Sequence, residues 1–375
     1  MSCLLLALSF VLLTGCVAGE DDDDNGGDGG GASSETTTIV VGAKTNEDGI
    51  ARASFSIPDG STKLGVMAQP SQGSIRYTSF TSTNDTSYLS QEVSFSAEAQ
   101  SVVNTISVPS RDVDPALETS TNFQTSVRVT SGGSGIRGAD INFTVISKKD
   151  TDLNSGSLRV NVFLVGDVAQ SDGNRRAVEN AIGEMNAIFR NAGGISVQSS
   201  VFDVAGPNLL PDPTVGSDFI FQTVNPAPSP GVNILVGGDI SDFDGGVFGI
   251  AASIPGPPLP TAKSAVAVSL LAGAGSDGSF SSEEVRLLGE TFAHESGHFM
   301  GLFHPVDFVA SFASDQDPLG DTGSCSVRSE CESNANLIEN VMYFTPVVND
   351  SGELVSQNKL TGQQRAVLNR YIAVE

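Results

Sequence analysis

The sequence predicts an all-β sandwich domain over residues 36–150, followed by an α+β domain over residues 155–375 with a twisted mixed sheet and three main helices. The first part has short alternating runs between turn residues, which are typical of antiparallel strands. The second part has strand-like segments that alternate with helix-like ones. Its 375 residues suffice for two domains of ordinary size plus a tail.

The N-terminal residues 1–15 are interpreted as a signal peptide. Residues 4–13 are almost all apolar, a run too short to span a bilayer as a helix but suited to a signal-peptide core. Residues 13–16 read LTGC and resemble the lipobox of bacterial lipoproteins, which implies a lipid on Cys16. Val17 follows, where aspartate would favour retention in the inner membrane, so the resemblance implies the bacterial cell envelope, at the outer membrane or cell surface. No Lys or Arg precedes the apolar run, and an ordinary secretory signal with a chance cysteine is the alternative.

Charge and composition indicate a tether near the N-terminus and limit the kinds of macromolecule that the protein can bind. Residues 16–35 form an acidic, Gly-rich segment, which predicts a flexible tether between a membrane and a folded body. The formal net charge of the chain is −25. A field of that sign repels phosphate backbones, so nucleic acid is excluded as a partner.

Cysteine usage fits an exported protein. Cys3 would leave with the signal peptide, and Cys16 would carry lipid. Cys325 and Cys331 remain, and they predict a short-loop disulfide in an oxidising compartment. Two thiolate zinc ligands are the alternative, but no second pair of cysteines lies nearby.

The first domain shows no long helical pattern. Its alternating runs are separated by Gly, Asn, Asp and Pro, as expected for an antiparallel sandwich. The predicted strands are residues 51–57, 74–80, 92–96, 126–129 and 141–146.

The second domain changes character after residues 154–156. Predicted strands are residues 158–165, 232–236 and 264–270. Apolar residues at helical spacing over 178–192 predict a first helix, which Gly193 and Gly194 end. Ser281 and Thr361 each precede a Glu or Gln by three residues, and these capping boxes predict the starts of two further helices.

Residues 294–304 read HESGHFMGLFH and contain all three histidines of the chain. His294 and His298 are four apart, so on a helix they lie on one face and can share a metal. Continuing the helix would turn His304 about 240° away from His298. The chain must therefore break, and Gly301 can do so in a left-handed conformation. Histidines without a metal are the alternative.

The pattern H-E-x-x-H-x-x-G-x-x-H resembles that of the metzincin clan of zinc peptidases. The resemblance implies Zn²⁺ on His294, His298 and His304, with Glu295 activating a zinc-bound water to hydrolyse protein or peptide substrates outside the cytoplasm. It also demands a methionine turn, for which Met342 is the candidate, with a plain core methionine as the alternative.

Individual residues around the motif resemble different metzincin families. Pro305 follows the third histidine, as in serralysins. Phe344 stands where serralysins and astacins place a metal-contacting tyrosine, and Tyr343 is one residue too early. Residues 321–325, with Cys331, are similar to pappalysin-type enzymes. The clan further implies a substrate cleft along an edge strand near residues 248–254, with residues 305–340 forming its lower wall.

Other readings stay open. Ca²⁺ could be held by either of two acidic clusters, although solvated loop carboxylates are the simpler interpretation. These clusters are Asp239, Asp242 and Asp244, and Asp315, Asp317 and Asp321. The chain could also be a catalytically idle binding module, or a surface adhesin whose function lies in the sandwich. The sandwich could instead be an inhibitory prodomain, but no cysteine lies between Cys16 and Cys325 to act as a cysteine switch.

Overall fold

The computed structural model describes residues 35–89, 101–119, 121–150, 152–241, 246–273, 279–309, 312–315 and 317–375. These described residues form one compact unit. The predicted signal peptide, the lipobox with Cys16, the tether and the predicted strand at 92–96 lie outside the described residues. Within the described ranges, no helix has the length and apolar character needed to cross a bilayer.

Residues 35–150 form two antiparallel sheets. Their strands are β1 Glu35–Lys44, β2 Ile50–Ser56, β3 Lys63–Pro70, β4 Ser74–Ser82, β5 Asn104–Val108, β6 Asn122–Ser131, β7 Ser134–Gly135 and β8 Asp140–Lys149. One sheet has the order β1-β8-β3-β5, and the other has the order β2-β6-β4 with β7 paired to β6. We call this region the sheet pair.

A single apolar cluster joins the two sheets. Strand alternation produces it, because every second residue of β2 is buried while its neighbours are exposed. Phe55, Phe80 and Phe123 pack with ring centroids 5.6–6.1 Å apart. The core of the sheet pair is therefore aromatic and lies between its layers.

Residues 156–375 combine helices with a mixed sheet, as the α+β prediction requires. The strands are β9 Gly156–Val165, β10 Ile195–Val204, β11 Leu209–Leu210, β12 Val232–Gly237, β13 Asp239–Ile240, β14 Gly249–Ala251, β15 Val266–Ser269, β16 Val306–Val309 and β17 Phe312–Asp315. The helices are α1 Asp172–Ile188, α2 Asp218–Val224, α3 Leu270–Gly273, α4 Ser282–Phe299, α5 Arg328–Ser333, α6 Ala335–Ile338 and α7 Gly362–Arg370. We call this part the C-terminal region.

The main sheet of the C-terminal region has the order β10-β9-β12-β15-β14. The first four strands are parallel, and β14 runs antiparallel to β15 at the edge. Helices α1 and α4 pack on one face, and α2 packs on the other. The mixed sheet is thus confirmed, and it presents its antiparallel edge strand to the helix that carries the histidines.

The predicted helix signals are confirmed. Ser281 and Thr361 both form reciprocal capping boxes, and Gly194 ends the first helix with φ 73°. Gly289 lets α4 cross α1 closely, because a Cβ there would lie 2.5 Å from Cβ of Glu184.

Two buried lysines join the sheet pair to the C-terminal region. Lys63 and Lys148 both donate from Nζ to the backbone oxygen of Val374, at 3.1 and 3.3 Å. Lys63 also pairs with Asp150 at 2.6 Å. Val374 in turn bridges to Leu158 on β9. The end of the C-terminal region is therefore held between its own sheet and the sheet pair.

Candidate metal centre

Helix α4 carries three of the predicted site residues into the interior. His294 and His298 lie one turn apart, and their ring centroids are 4.7 Å from each other. Glu295 and His298 are only 7% and 8% exposed. The helical spacing therefore brings both imidazoles to one place, as predicted.

The helix ends where the sequence predicts a break. Phe299 is its last residue, and Gly301 has φ 113°, in the region that favours glycine. The amide of Leu302 donates back to the oxygen of Gly297 at 2.9 Å. This reversal brings His304 to the first two histidines.

The three Nε2 atoms converge. Nε2 of His304 lies 3.2 Å from Nε2 of His294 and 3.0 Å from Nε2 of His298. Nδ1 of His294 is 2.7 Å from the oxygen of Val341, and Nδ1 of His298 is 2.7 Å from the oxygen of Leu302. Because a carbonyl can only accept, both Nδ1 atoms carry the proton, which leaves both Nε2 lone pairs pointing inward.

This arrangement fits a metal ion. A proton on Nε2 of His304 could satisfy at most one of the two facing lone pairs, whereas a cation satisfies all three nitrogens. Tetrahedral Zn²⁺ with Zn–N distances of about 2.0–2.1 Å needs nitrogens roughly 3.3 Å apart, close to the separations here. Within the described ranges, these histidines are the one group of His, Cys, Asp and Glu side chains placed to hold a metal.

Burial keeps the imidazoles in the ligand form. Desolvation lowers the pKa of His294 to about 4 and that of His304 to about 3. Desolvation and the neighbouring histidines hold the pKa of His298 well below its usual range. All three rings are therefore neutral near pH 7, the state that can bind a metal.

Glu295 lies against the edge strand β14. Its carboxylate accepts the backbone N–H of Ala251, and burial raises the pKa of Glu295 to about 8 despite this bond. A Cβ at Gly249 would lie 2.6 Å from Cγ of Glu295. Glycine at this position therefore allows the carboxylate side chain to approach the strand.

Met342 packs beneath the same helix. It is fully buried, and its sulfur lies 2.6 Å from the position that a Cβ on Gly297 would take. The preceding residue, Val341, accepts the hydrogen bond from His294. Gly297 thus permits close packing behind the histidines, and the segment around Met342 orients one of them.

A buried amide pair, which the sequence reading missed, holds this segment in place. Nδ2 of Asn340 donates to Oε1 of Gln364 at 2.8 Å, and Nε2 of Gln364 donates back to Oδ1 of Asn340 at 3.1 Å. The same Oδ1 accepts the amide of Met342. Gln364 caps α7, as the sequence predicts, and the capping pattern gives no signal of its pairing with Asn340.

The two aromatic residues after Met342 lie in different environments. The ring of Phe344 faces His304 edge-on, with centroids 6.4 Å apart. Tyr343 is 1% exposed and packs in a cluster with Cys325 and Cys331. Those cysteines form the predicted disulfide.

A cleft of about 390 Å³ runs along β14 and past the three histidines. Phe303, Asp307 and Phe344 also line it, and none of its lining residues belongs to the described part of the sheet pair. The expected edge strand over residues 248–254 corresponds to β14. The expected lower wall over residues 305–340 contributes Asp307, while a second pocket beside Glu295 is lined by residues 343–346 instead.

The described carboxylates of the two acidic clusters accept hydrogen bonds from backbone amides. Asp239 accepts from the amide of Ile240, Asp317 from the amide of Leu319, and Asp321 from the amide of Gln363. Asp242, Asp244 and the side chain of Asp315 lie outside the described residues. Calcium therefore gains no support.

No protein-family model and no curated protein matches the chain. Among solved structures, it is similar to metalloproteinase-II from Bacteroides fragilis, with 13% identity and a TM-score of 0.34 over 59% of this chain and 54% of that one. It is also similar to archaemetzincin from Methanopyrus kandleri, with 11% identity and a TM-score of 0.28 over 58% of this chain and 88% of that one. The chain thus spans about half the length of the first structure. At such distances, function has to be argued from the site itself.

Proposed function

We propose that this protein is a zinc-dependent endopeptidase that hydrolyses protein or peptide bonds outside the cytoplasm. One observation carries the proposal: three neutral imidazoles converge on one point beside a buried glutamate, at the edge of a sheet. The histidines would hold the metal. When bound, Zn²⁺ supplies Lewis-acid chemistry that polarises a carbonyl and acidifies water.

Glu295 would handle the proton. Burial raises the pKa of Glu295 to about 8, which makes its carboxylate a stronger base than an exposed one, and the positive charge of a bound Zn²⁺ would favour this ionised form near neutral pH. Glu295 would take a proton from the attacking water and deliver it to the leaving amine. The N–H of Ala251 would hold the carboxylate in position during both transfers.

The edge strand would bind the peptide. Ser269 donates to the oxygen of Phe248, and Ala252 donates to the oxygen of Ala265, so these groups of the β14 segment face β15. Because a strand alternates, the backbone groups of Gly249 and the backbone oxygen of Ala251 face the cleft, while the N–H of Ala251 binds Glu295. An extended substrate running antiparallel to β14 would pair with them.

We further propose membership of the metzincin clan, with Met342 as the residue of the methionine turn. Its packing against Gly297 supports this assignment. Phe344 beside His304 favours a site of three histidines without a tyrosine ligand. The sheet pair would be the sandwich domain that precedes the peptidase domain, outside the substrate cleft.

Metal analysis and peptide hydrolysis test the proposal together. Protein never exposed to chelator should contain about one zinc per chain by mass spectrometry and should cleave a mixed peptide library until chelator is added. Glu295→Gln should retain zinc and lose at least about 100-fold in kcat. Zinc-loaded protein that cleaves nothing, with the variant indistinguishable from wild type, would instead favour an idle binding module.

A lipid anchor at Cys16 is proposed separately, at the outer membrane or cell surface. Cys16→Ser should move the protein from the membrane fraction to the soluble fraction on cell fractionation. Unchanged membrane attachment would refute the anchor without touching the peptidase proposal.

A further inference from the structure

We propose that a pocket beside Glu295 selects substrates with arginine or lysine immediately after the cleaved bond. We call it the Glu290 pocket. This inference rests on the proposed peptidase function and specifies its substrate class. The pocket is a cavity of about 200 Å³ whose lining includes Phe248, Leu287, Glu290, Thr291, Phe344 and Gln357.

The pocket opens from the cleft at the site itself. Both cavities share Gly249, His294, Glu295 and Phe344 as lining residues. A side chain that enters the Glu290 pocket would therefore belong to a residue next to the reacting bond.

Strand direction decides which residue that is. The pocket lies at the start of β14, near Phe248, whereas the cleft continues past its end towards Ile254. A peptide antiparallel to β14 runs from Ile254 towards Phe248 in its own N-to-C direction. The pocket thus receives the side chain on the carboxyl side of the cleaved bond.

The lining of the pocket includes a buried carboxylate. Glu290 is 5% exposed, and its Oε1 accepts from Nη1 of Arg286 at 2.8 Å, from Oγ of Ser356 at 2.7 Å and from the amide of Gln357 at 3.1 Å. All three of these bonds end on Oε1. The second oxygen, Oε2, is therefore the atom left for a ligand.

Arg286 does not cancel this charge inside the pocket. Arg286 lines a neighbouring cavity and not the Glu290 pocket, and its Nη2 also lies 3.7 Å from Oε1 of Glu283. Two carboxylates around one guanidinium leave net negative charge. Phe248, Leu287 and Phe344 offer apolar surface for the methylene stem of a long cationic side chain. The net charge of −25 also favours cationic substrates.

Peptides that differ only at the residue after the cleaved bond test the inference on zinc-loaded protein. Arginine and lysine should exceed leucine in kcat/KM by about tenfold, and glutamate should be poorest. Glu290→Gln keeps an oxygen for the three donors but loses the charge, and it should reduce the arginine-to-leucine ratio about tenfold. Glu184→Gln is the matched control, because it removes a carboxylate from the neighbouring cavity that Glu290 also lines, outside the lining of the Glu290 pocket. It should leave the ratio unchanged.

A wild-type preference for leucine, or an arginine-to-leucine ratio that Glu290→Gln leaves intact, would overturn the inference while the peptidase function stands. If Glu290→Gln fails to fold, Phe248→Lys should lower the ratio instead, because it places a cation on a half-buried residue of the lining. If no peptide is cleaved at all, the proposed function fails. Binding of labelled peptides to zinc-loaded Glu295→Gln, measured by fluorescence anisotropy, would then still decide the pocket's preference.

Discussion

The core of the sheet pair and the metal centre of the C-terminal region bury different kinds of side chain. Between its layers, the sheet pair stacks Phe55, Phe80 and Phe123, whose packing contributes stability without polar requirements. The C-terminal region buries Glu295 and His298 around its site. Buried polar groups cost free energy unless they are hydrogen-bonded, so this region has to supply a partner for each one.

The two regions are nevertheless joined by buried polar contacts. Lys63 and Lys148 belong to the sheet pair, yet both donate to Val374 of the C-terminal region. The sheet pair therefore contributes more than a separate core. It holds the segment that follows α7, the helix whose Gln364 fixes Asn340 beneath the histidines. The comparison predicts that damage to this junction affects stability, while damage beneath the histidines affects metal binding.

The largest stability effect is expected for Lys63→Met. It leaves Asp150 without its cation and removes one donor from Val374, which should lower the free energy of unfolding by about 3 kcal/mol. Urea unfolding measures this loss, and zinc content should stay unchanged. Lys44→Met is the control, since Lys44 pairs with Asp140 at the same 2.6 Å but both side chains are more than half exposed. It should cost less than about 1 kcal/mol, and equal losses would contradict the junction's role.

Gly297→Ala should have the next largest effect. Its Cβ would meet the sulfur of Met342 at 2.6 Å, and such overpacking costs about 2 kcal/mol. Since Met342 adjoins the carbonyl that orients His294, zinc affinity should also fall in chelator competition. Gly183→Ala on α1 meets nothing within 4 Å and should stabilise the protein by up to about 1 kcal/mol. Unchanged zinc affinity in Gly297→Ala would show that the packing beneath the helix is dispensable.

The smallest effect concerns pH. Burial, only partly offset by Glu375, lowers the pKa of Lys148 from 10.5 to about 8. Between these values the unfolded chain binds more protons at this site than the folded one, so the site's contribution to stability rises with pH. The difference in free energy of unfolding between wild type and Lys148→Met should shift by about 1 kcal/mol in favour of wild type as pH rises from about 8 to about 9. Denaturant unfolding in matched buffers measures this shift. A constant difference across that range would contradict the lowered pKa.

Local signals in the sequence predicted much of the fold. Capping boxes at Ser281 and Thr361 and the strands of the mixed sheet depend on nearby residues, and the structure contains them. The sequence analysis does not predict the longer strands β1, β3, β5 and β10, nor the short strands β7, β11, β13, β16 and β17. In β3 six of the eight residues are buried, so the alternation that marks a half-exposed strand is absent there.

For the candidate site, too, the sequence predicts the local features and not the long-range contacts. Helical spacing and Gly301 were enough to bring three histidines together. The contacts of Glu295 with Gly249 and Ala251 join segments more than forty residues apart, and no local pattern signals them. The same holds for the buried lysines, because a lysine in an alternating run is ordinarily a solvent-facing residue.

The hydrogen bond from His294 to Val341 has a consequence for folding order. His298 and Leu302 are four residues apart and can meet as soon as the helix and its turn form, whereas His294 and Val341 are 47 apart. Asn340 and Gln364 add a further closure of 24 residues. Contacts with long sequence separation form late, because loop closure costs entropy that only later contacts recover. A nascent chain would thus present loosely oriented imidazoles, and tight metal capture would await synthesis through α7.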